Sequence, residues 1–82
     1  MIDKYNDLVK SFLKLKTGPE MLEFLKGILT PKELDQLSTR LEIVKMLKQG
    51  VAQQRISKNL GVGIATVTRG SRELKLGRFK KV

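Results

Sequence analysis

Apolar residues recur along the first half of the chain at helical spacing. Ile2, Tyr5, Leu8, Val9, Phe12, Leu13 and Leu15 make one stripe, opposed by Lys4, Asp7, Lys10 and Lys14, the rhythm of an amphipathic helix. The tetrapeptide "TGPE" at 17–20 predicts a break, with Gly18 ending the first helix and Pro19 suited to the first turn of the next, where no amide partner is needed. The second helix carries Met21, Leu22, Phe24, Leu25, Ile28 and Leu29, so it is apolar around much of its circumference. "TPKE" at 30–33 predicts a third start: Thr30 can cap, Pro31 can take the first position, and Glu33 can reach back to close a capping box. That helix runs to about Gln49, with Gly50 as its C-terminal residue. Leu34, Leu37, Leu41, Val44 and Leu47 form its main stripe, widened by Ile43 and Met46. Strand alternation, repeats and low-complexity runs are absent, and the fold class predicted is all-α.

From Gln53 the spacing changes: "QQRISKNLGVGIATVTRGSREL". Ile56 and Leu60 share one face of a short helix, and Ser57 is small where a second helix must come close. Gly61 follows at the turn, Val62 plugs inward, and Ile64 to Leu74 supply a second helix with Val67 facing the first. A small residue, a glycine four later, an apolar residue next and a β-branched residue six beyond the glycine make a helix-turn-helix layout. The glycine meets the left-handed backbone of that turn. On this geometry Val67 and Leu74 are core, while Ala65, Thr66, Thr68, Arg69, Arg72 and Lys75 stay outward or near it. Short and hydroxylated residues come first and cations later, the order suited to a helix entering the major groove. Short side chains let the backbone approach base edges, and arginines reach phosphate or guanine. Gln53 and Gln54, at the start of the preceding helix, would meet the phosphate backbone.

Charge sharpens this picture. The 82 residues are enough for one small domain. Residues 1–52 hold nine Lys/Arg against seven Asp/Glu, a net of +2, whereas residues 53–82 hold eight against Glu73 alone, a net of +7. Such asymmetry favours a polyanion, nucleic acid before an anionic membrane, over a merely solubilising tail. A protein-binding helical hairpin would fit the period but leave the charge unexplained. "GVG" fails as a dinucleotide loop, since no strand precedes it and the G-x-G-x-x-G spacing is missing. Histidine and cysteine are both absent, which removes the commonest general base, the commonest metal ligands and any disulfide. No enzyme, metal site or cofactor is expected. No apolar run reaches membrane-spanning length, and "MIDKYNDLVK" does not read as a signal peptide.

At this point the chain resembles the tryptophan operon repressor superfamily, including its less characterised YerC/YecD-type relatives. The resemblance rests on "LTPKELDQLSTRLEIVKML" (29–47) and on "GIATVTRGSRELK" (63–75), within which "TRG" is the most specific element. It covers roughly residues 29–76 in side-chain identity and the first two helices in pattern. It implies an intertwined homodimer and base or phosphate contacts from Gln54, Ile64, Ala65, Thr66 and Thr68. It also implies L-tryptophan as candidate co-repressor, at positions matching Thr30, Arg40, Arg69 and Gly70. Two guanidinium planes can sandwich an indole, one can pair a carboxylate, and a glycine leaves room. Glu73 stands where the family has a serine that helps hold the ligand ammonium. Turned into that pocket, Glu73 would lie close to Arg40 or Arg69 and pre-pair the guanidinium, making DNA binding constitutive. Turned to solvent, or onto the ammonium, it would leave switching intact. Arg40 has a plainer fate as a salt-bridge partner of Glu42 or Glu33.

The sequence therefore predicts a single domain over 1–82, with dimerisation helices in 1–50, a helix-turn-helix in 53–75 and a basic tail in 76–82. Its expected function is a homodimeric, sequence-specific transcriptional regulator of double-stranded DNA, a repressor by occupancy. Its expected location is bacterial, cytoplasmic and nucleoid-associated, with no membrane partner. The alternative is an architectural protein that coats DNA by charge, tolerant of sequence and without an effector.

Overall fold

The computed structural model describes residues 3–82. Met1, and Ile2 at the head of the first apolar stripe, lie outside the described residues. Among these the secondary structure is five helices: α1 (Lys4–Leu13), α2 (Gly18–Ile28), α3 (Pro31–Lys48), α4 (Gln53–Leu60) and α5 (Ile64–Lys75). None is long and apolar enough to cross a membrane. The chain forms two compact units, Met1–Leu34 and Asp35–Val82.

In the first unit, side chains hydrogen-bonded to amides set where each helix begins. Asp3 caps α1, its carboxylate accepting from the Tyr5 and Asn6 amides at 3.1 and 3.2 Å. Thr17 caps α2 by accepting from the Glu20 amide at 3.2 Å, with Pro19 in the first turn. The expectation for Gly18 needs correction. It is the first residue of α2, while α1 ends at Lys14 in ordinary right-handed backbone. Thr17 offers the amides a side-chain acceptor, so the junction is organised by that cap and calls for no left-handed glycine. The "TPKE" box forms as expected. Glu33 N–H donates to Thr30 Oγ1 at 3.1 Å, and Thr30 N–H donates to Glu33 Oε1 at 2.8 Å. Hydrogen bonding to the carboxylate by Thr30, its amide first and its hydroxyl second, holds the Glu33 carboxyl below the usual glutamate range. Phe12 and Phe24 meet edge to face, centroids 5.2 Å apart at 67°, a favoured aromatic geometry. No residue of α1 or α2 is buried, and Tyr5 and Leu13 are 74% and 77% exposed.

The second unit holds the core. Ile43, Ile56 and Val67 are buried together, one from each of α3, α4 and α5, with Met46, Leu47, Val51, Leu60 and Val62 half-buried against them. The α3 stripe divides differently from the expectation. Ile43 and Val44 are the buried residues, while Leu37 and Leu41 are each 44% exposed. The residues that were to widen the stripe thus include its centre, because α3 turns Ile43 towards the helix pair and leaves Leu37 and Leu41 uncovered in the single chain. Beyond Lys48 the backbone closes in the double hydrogen-bond pattern of a helix terminus, Gly50 N–H to Leu47 carbonyl at 3.0 Å and Val51 N–H to Met46 carbonyl at 3.1 Å. Val51 is carried into the core by that turn.

The candidate nucleic-acid interface

The α4–turn–α5 unit is built from Gly61 outward. Gly61 adopts φ 65°, ψ 35°, the left-handed region in which a side chain is strained. Its amide donates to the Ser57 carbonyl, and Val62 N–H donates to the same oxygen at 3.1 Å. The Ser57 hydroxyl donates in turn to the Val62 carbonyl at 2.5 Å. Ser57 therefore holds both strands of the turn, a use of its hydroxyl beyond the small size that the spacing asked for. Ile56 and Val67 are both 0% exposed, so the two helices lock through one apolar pair.

With Val67 inward, the outward side of α5 follows from helix geometry. Ile64, Ala65, Thr66, Thr68, Arg69, Arg72 and Lys75 are all exposed, as the outward placement expected of them requires. Leu74, expected in the core, is half-buried, as are Ser71 and Glu73. On α4, Gln54 is exposed and Gln53 half-buried. Gln53 is joined to α5, because Thr68 Oγ1 donates to Gln53 Oε1 at 2.9 Å as well as to the Ile64 carbonyl at 3.0 Å. Nothing in the sequence spacing pointed to that bond, which joins residues fifteen apart. Two exposed cations on α4, Arg55 and Lys58, belong to the same basic stretch and were legible from charge alone.

The residues expected around a small ligand have these surroundings. Thr30 uses its hydroxyl and amide in the capping box of α3. Arg40 and Arg69 are exposed, and among the described residues neither has an ion-pair partner. Of the alternatives for Glu73, pairing with Arg40 or Arg69 is not what the structure has, since its Oε2 accepts from Arg78 Nε at 3.2 Å. The turn after α5 brings Arg78 back alongside Glu73, and this partner is local, whereas Arg40 and Arg69 are not engaged. Gly70 serves packing. A Cβ there would lie 3.2 Å from Ile43 Cγ2 and 3.6 Å from Leu47 Cδ1, so the glycine lets α5 approach α3. The basic tail is likewise held, with Lys48 Nζ donating to the carbonyls of Phe79 at 2.5 Å and Val82 at 2.7 Å. Lys80 and Lys81 remain exposed.

The family model for the Trp repressor protein matches residues 3–80. A Trp operon repressor homolog of Vibrio vulnificus is 48% identical over 71 residues, which are 85% of this chain and 67% of the relative. A second, from Actinobacillus succinogenes, is 40% identical over 77 residues, 92% of this chain and 75% of the relative. The crystal structure of a TrpR-like protein from Eubacterium eligens superposes with a TM-score of 0.76 at 32% identity, covering 84% of this chain and 71% of that one. The chain belongs to the Trp repressor family, whose members are DNA-binding transcription regulators.

Proposed function

We propose that this protein is a homodimeric repressor that occupies a specific DNA site, laying α5 in the major groove and the start of α4 against the phosphates. One observation carries the reading. Val67 is fully buried while Ala65, Thr66, Thr68, Arg69 and Arg72 around it are exposed, so the helix is fixed from behind and presents short polar groups followed by cations. Residues 53–82 supply the +7 charge that brings the unit to a polyanion. Support for the dimer comes from apolar side chains that a single chain leaves uncovered, including Tyr5, Val9, Leu13 and Ile28, and Leu37 and Leu41 on α3. A two-fold dimer would present two reader helices to a two-fold site.

The small-molecule part of the reading is L-tryptophan, or another amino acid, bound as co-repressor beside Arg40 and Arg69. Its support is that neither guanidinium is engaged by a carboxylate among the described residues. Glu73, paired with Arg78, leaves them to a ligand.

Selection from a random duplex library tests the DNA reading, followed by affinity for the selected and a scrambled site at several salt concentrations. A specific regulator binds the selected site on the order of a thousandfold or more tighter. An architectural protein would lose affinity with salt yet treat both duplexes alike. Sedimentation at micromolar concentration tests the dimer, and a stable monomer contradicts it. Calorimetry with tryptophan tests the effector, and absence of heat at millimolar ligand excludes it.

A further inference from the structure

We infer that Thr68 is a positioning residue whose hydroxyl fixes the Gln53 carboxamide so that its nitrogen is held ready to donate to a DNA phosphate. The inference rests on the DNA-binding reading and adds a division of labour within it. A threonine hydroxyl has one hydrogen to give. Here that hydrogen is shared between the Ile64 carbonyl at 3.0 Å, the usual back-bond of a helical threonine, and Gln53 Oε1 at 2.9 Å. A phosphate oxygen can only accept. Thr68 therefore cannot donate to a phosphate without releasing Gln53, and what it offers to DNA is a methyl group and an accepting oxygen.

Gln53 is in the complementary position. Its oxygen is spent on Thr68, and its amide nitrogen keeps two hydrogens for acceptors. A glutamine side chain is ordinarily mobile and loses much rotamer freedom on binding. The bond to Thr68 makes part of that loss in advance, on a half-buried residue at the first position of α4. It also joins the helix that meets the backbone to the helix that reads the bases, so the register of one sets the other.

The test combines variants with two readouts on the full chain. In the free protein, nuclear relaxation of the Gln53 side-chain amide is compared between wild type, Thr68→Ser and Thr68→Val. The amide should be ordered in the first two and mobile in the third, since valine keeps the shape and loses the hydroxyl. An equally mobile amide in wild type and Thr68→Val overturns the inference whatever happens with DNA. On the selected duplex, Thr68→Val and Gln53→Ala should each weaken binding by roughly threefold to tenfold. Their effects should not multiply, and the double variant should bind within about twofold of Gln53→Ala alone. Thr68→Ser should stay within about twofold of wild type. Gln53→Glu keeps the acceptor for Thr68 but removes the donor, and should weaken binding at least as much as Gln53→Ala. Losses that multiply in the double variant would mean two independent contacts and would overturn the inference. Failure to select any duplex would defeat the DNA reading instead, leaving the relaxation result to decide the bond.

Discussion

Gly61→Ala isolates the backbone requirement of the turn between the two helices. At φ 65° and ψ 35° an alanine would sit in left-handed conformation, which disfavours an L side chain by about 1–2 kcal/mol. A Cβ built at Gly61 meets nothing within 4 Å, so steric clash contributes nothing and the cost is conformational. Alanine also restricts the unfolded chain, which offsets part of that cost, yet where φ is positive the folded-state strain outweighs it. A net loss of about 1–2 kcal/mol is expected, a fall of about 4–16 °C in melting temperature for a domain of this size. Gly61→Asn should lose markedly less, because asparagine tolerates the left-handed region. The assay is thermal and urea unfolding of the three proteins at one fixed concentration, since association would shift apparent stability. Below the transition Gly61→Ala should keep its DNA affinity, because Ile56 and Val67 still lock the helices. Equal losses for alanine and asparagine, or none for alanine, would refute the claim that positive φ is what the turn requires.

Three further outcomes follow from other contacts. Gly70→Ala gains about 1 kcal/mol of helix propensity but overpacks the buried Ile43 at 3.2 Å, commonly at a cost of about 1–3 kcal/mol. A net loss is expected by urea unfolding, smaller when Ile43→Ala is already present, and a stabilised single variant contradicts it. The Glu33 carboxyl is lowered by the Thr30 amide and hydroxyl, so the contribution of this box is present above the ordinary glutamate range. It is lost as pH falls through the lowered folded value; an NMR titration of Glu33 with its midpoint at or above that of a free glutamate contradicts this. Lys48→Met should release residues 76–82, read as faster amide exchange at Val82, whose N–H donates to Phe79 at 3.3 Å; unchanged exchange would show that Lys48 does not anchor the tail.

What could be read from the sequence was what neighbours in the chain decide. The Thr30–Glu33 box, the turn at Gly61 and the inward Val67 each depend on residues within about two helical turns, where type and spacing suffice. Gly18 misled because glycine marks both ends and permissive starts, and only the Thr17 hydroxyl settles which applies. The α3 stripe misled for another reason. Periodicity counts apolar residues around a helix but does not say which side a partner element covers, and the structure covers Ile43 rather than Leu37 and Leu41. The candidate site divides in the same way. Its outward residues were legible once Val67 was fixed, whereas the Gln53–Thr68 bond and the Lys48 anchor join residues brought together by the fold. The partner of Glu73 stayed open between two alternatives because the turn beyond α5, which returns Arg78 to it, has no distinctive spacing.

In the function proposed, the outward face of α5 reads bases while the basic tail supplies sequence-independent attraction. The most direct measurement repeats the duplex selection with Thr66→Ala and, separately, with Lys80→Ala and Lys81→Ala, and follows salt dependence of binding to the wild-type site. Thr66→Ala should change which bases are preferred with a small change in overall affinity. Each lysine variant should weaken all duplexes alike and lower the salt slope by about one. A Thr66→Ala protein that ranks every duplex as the wild type does would contradict it, and the reader face would have to be sought elsewhere.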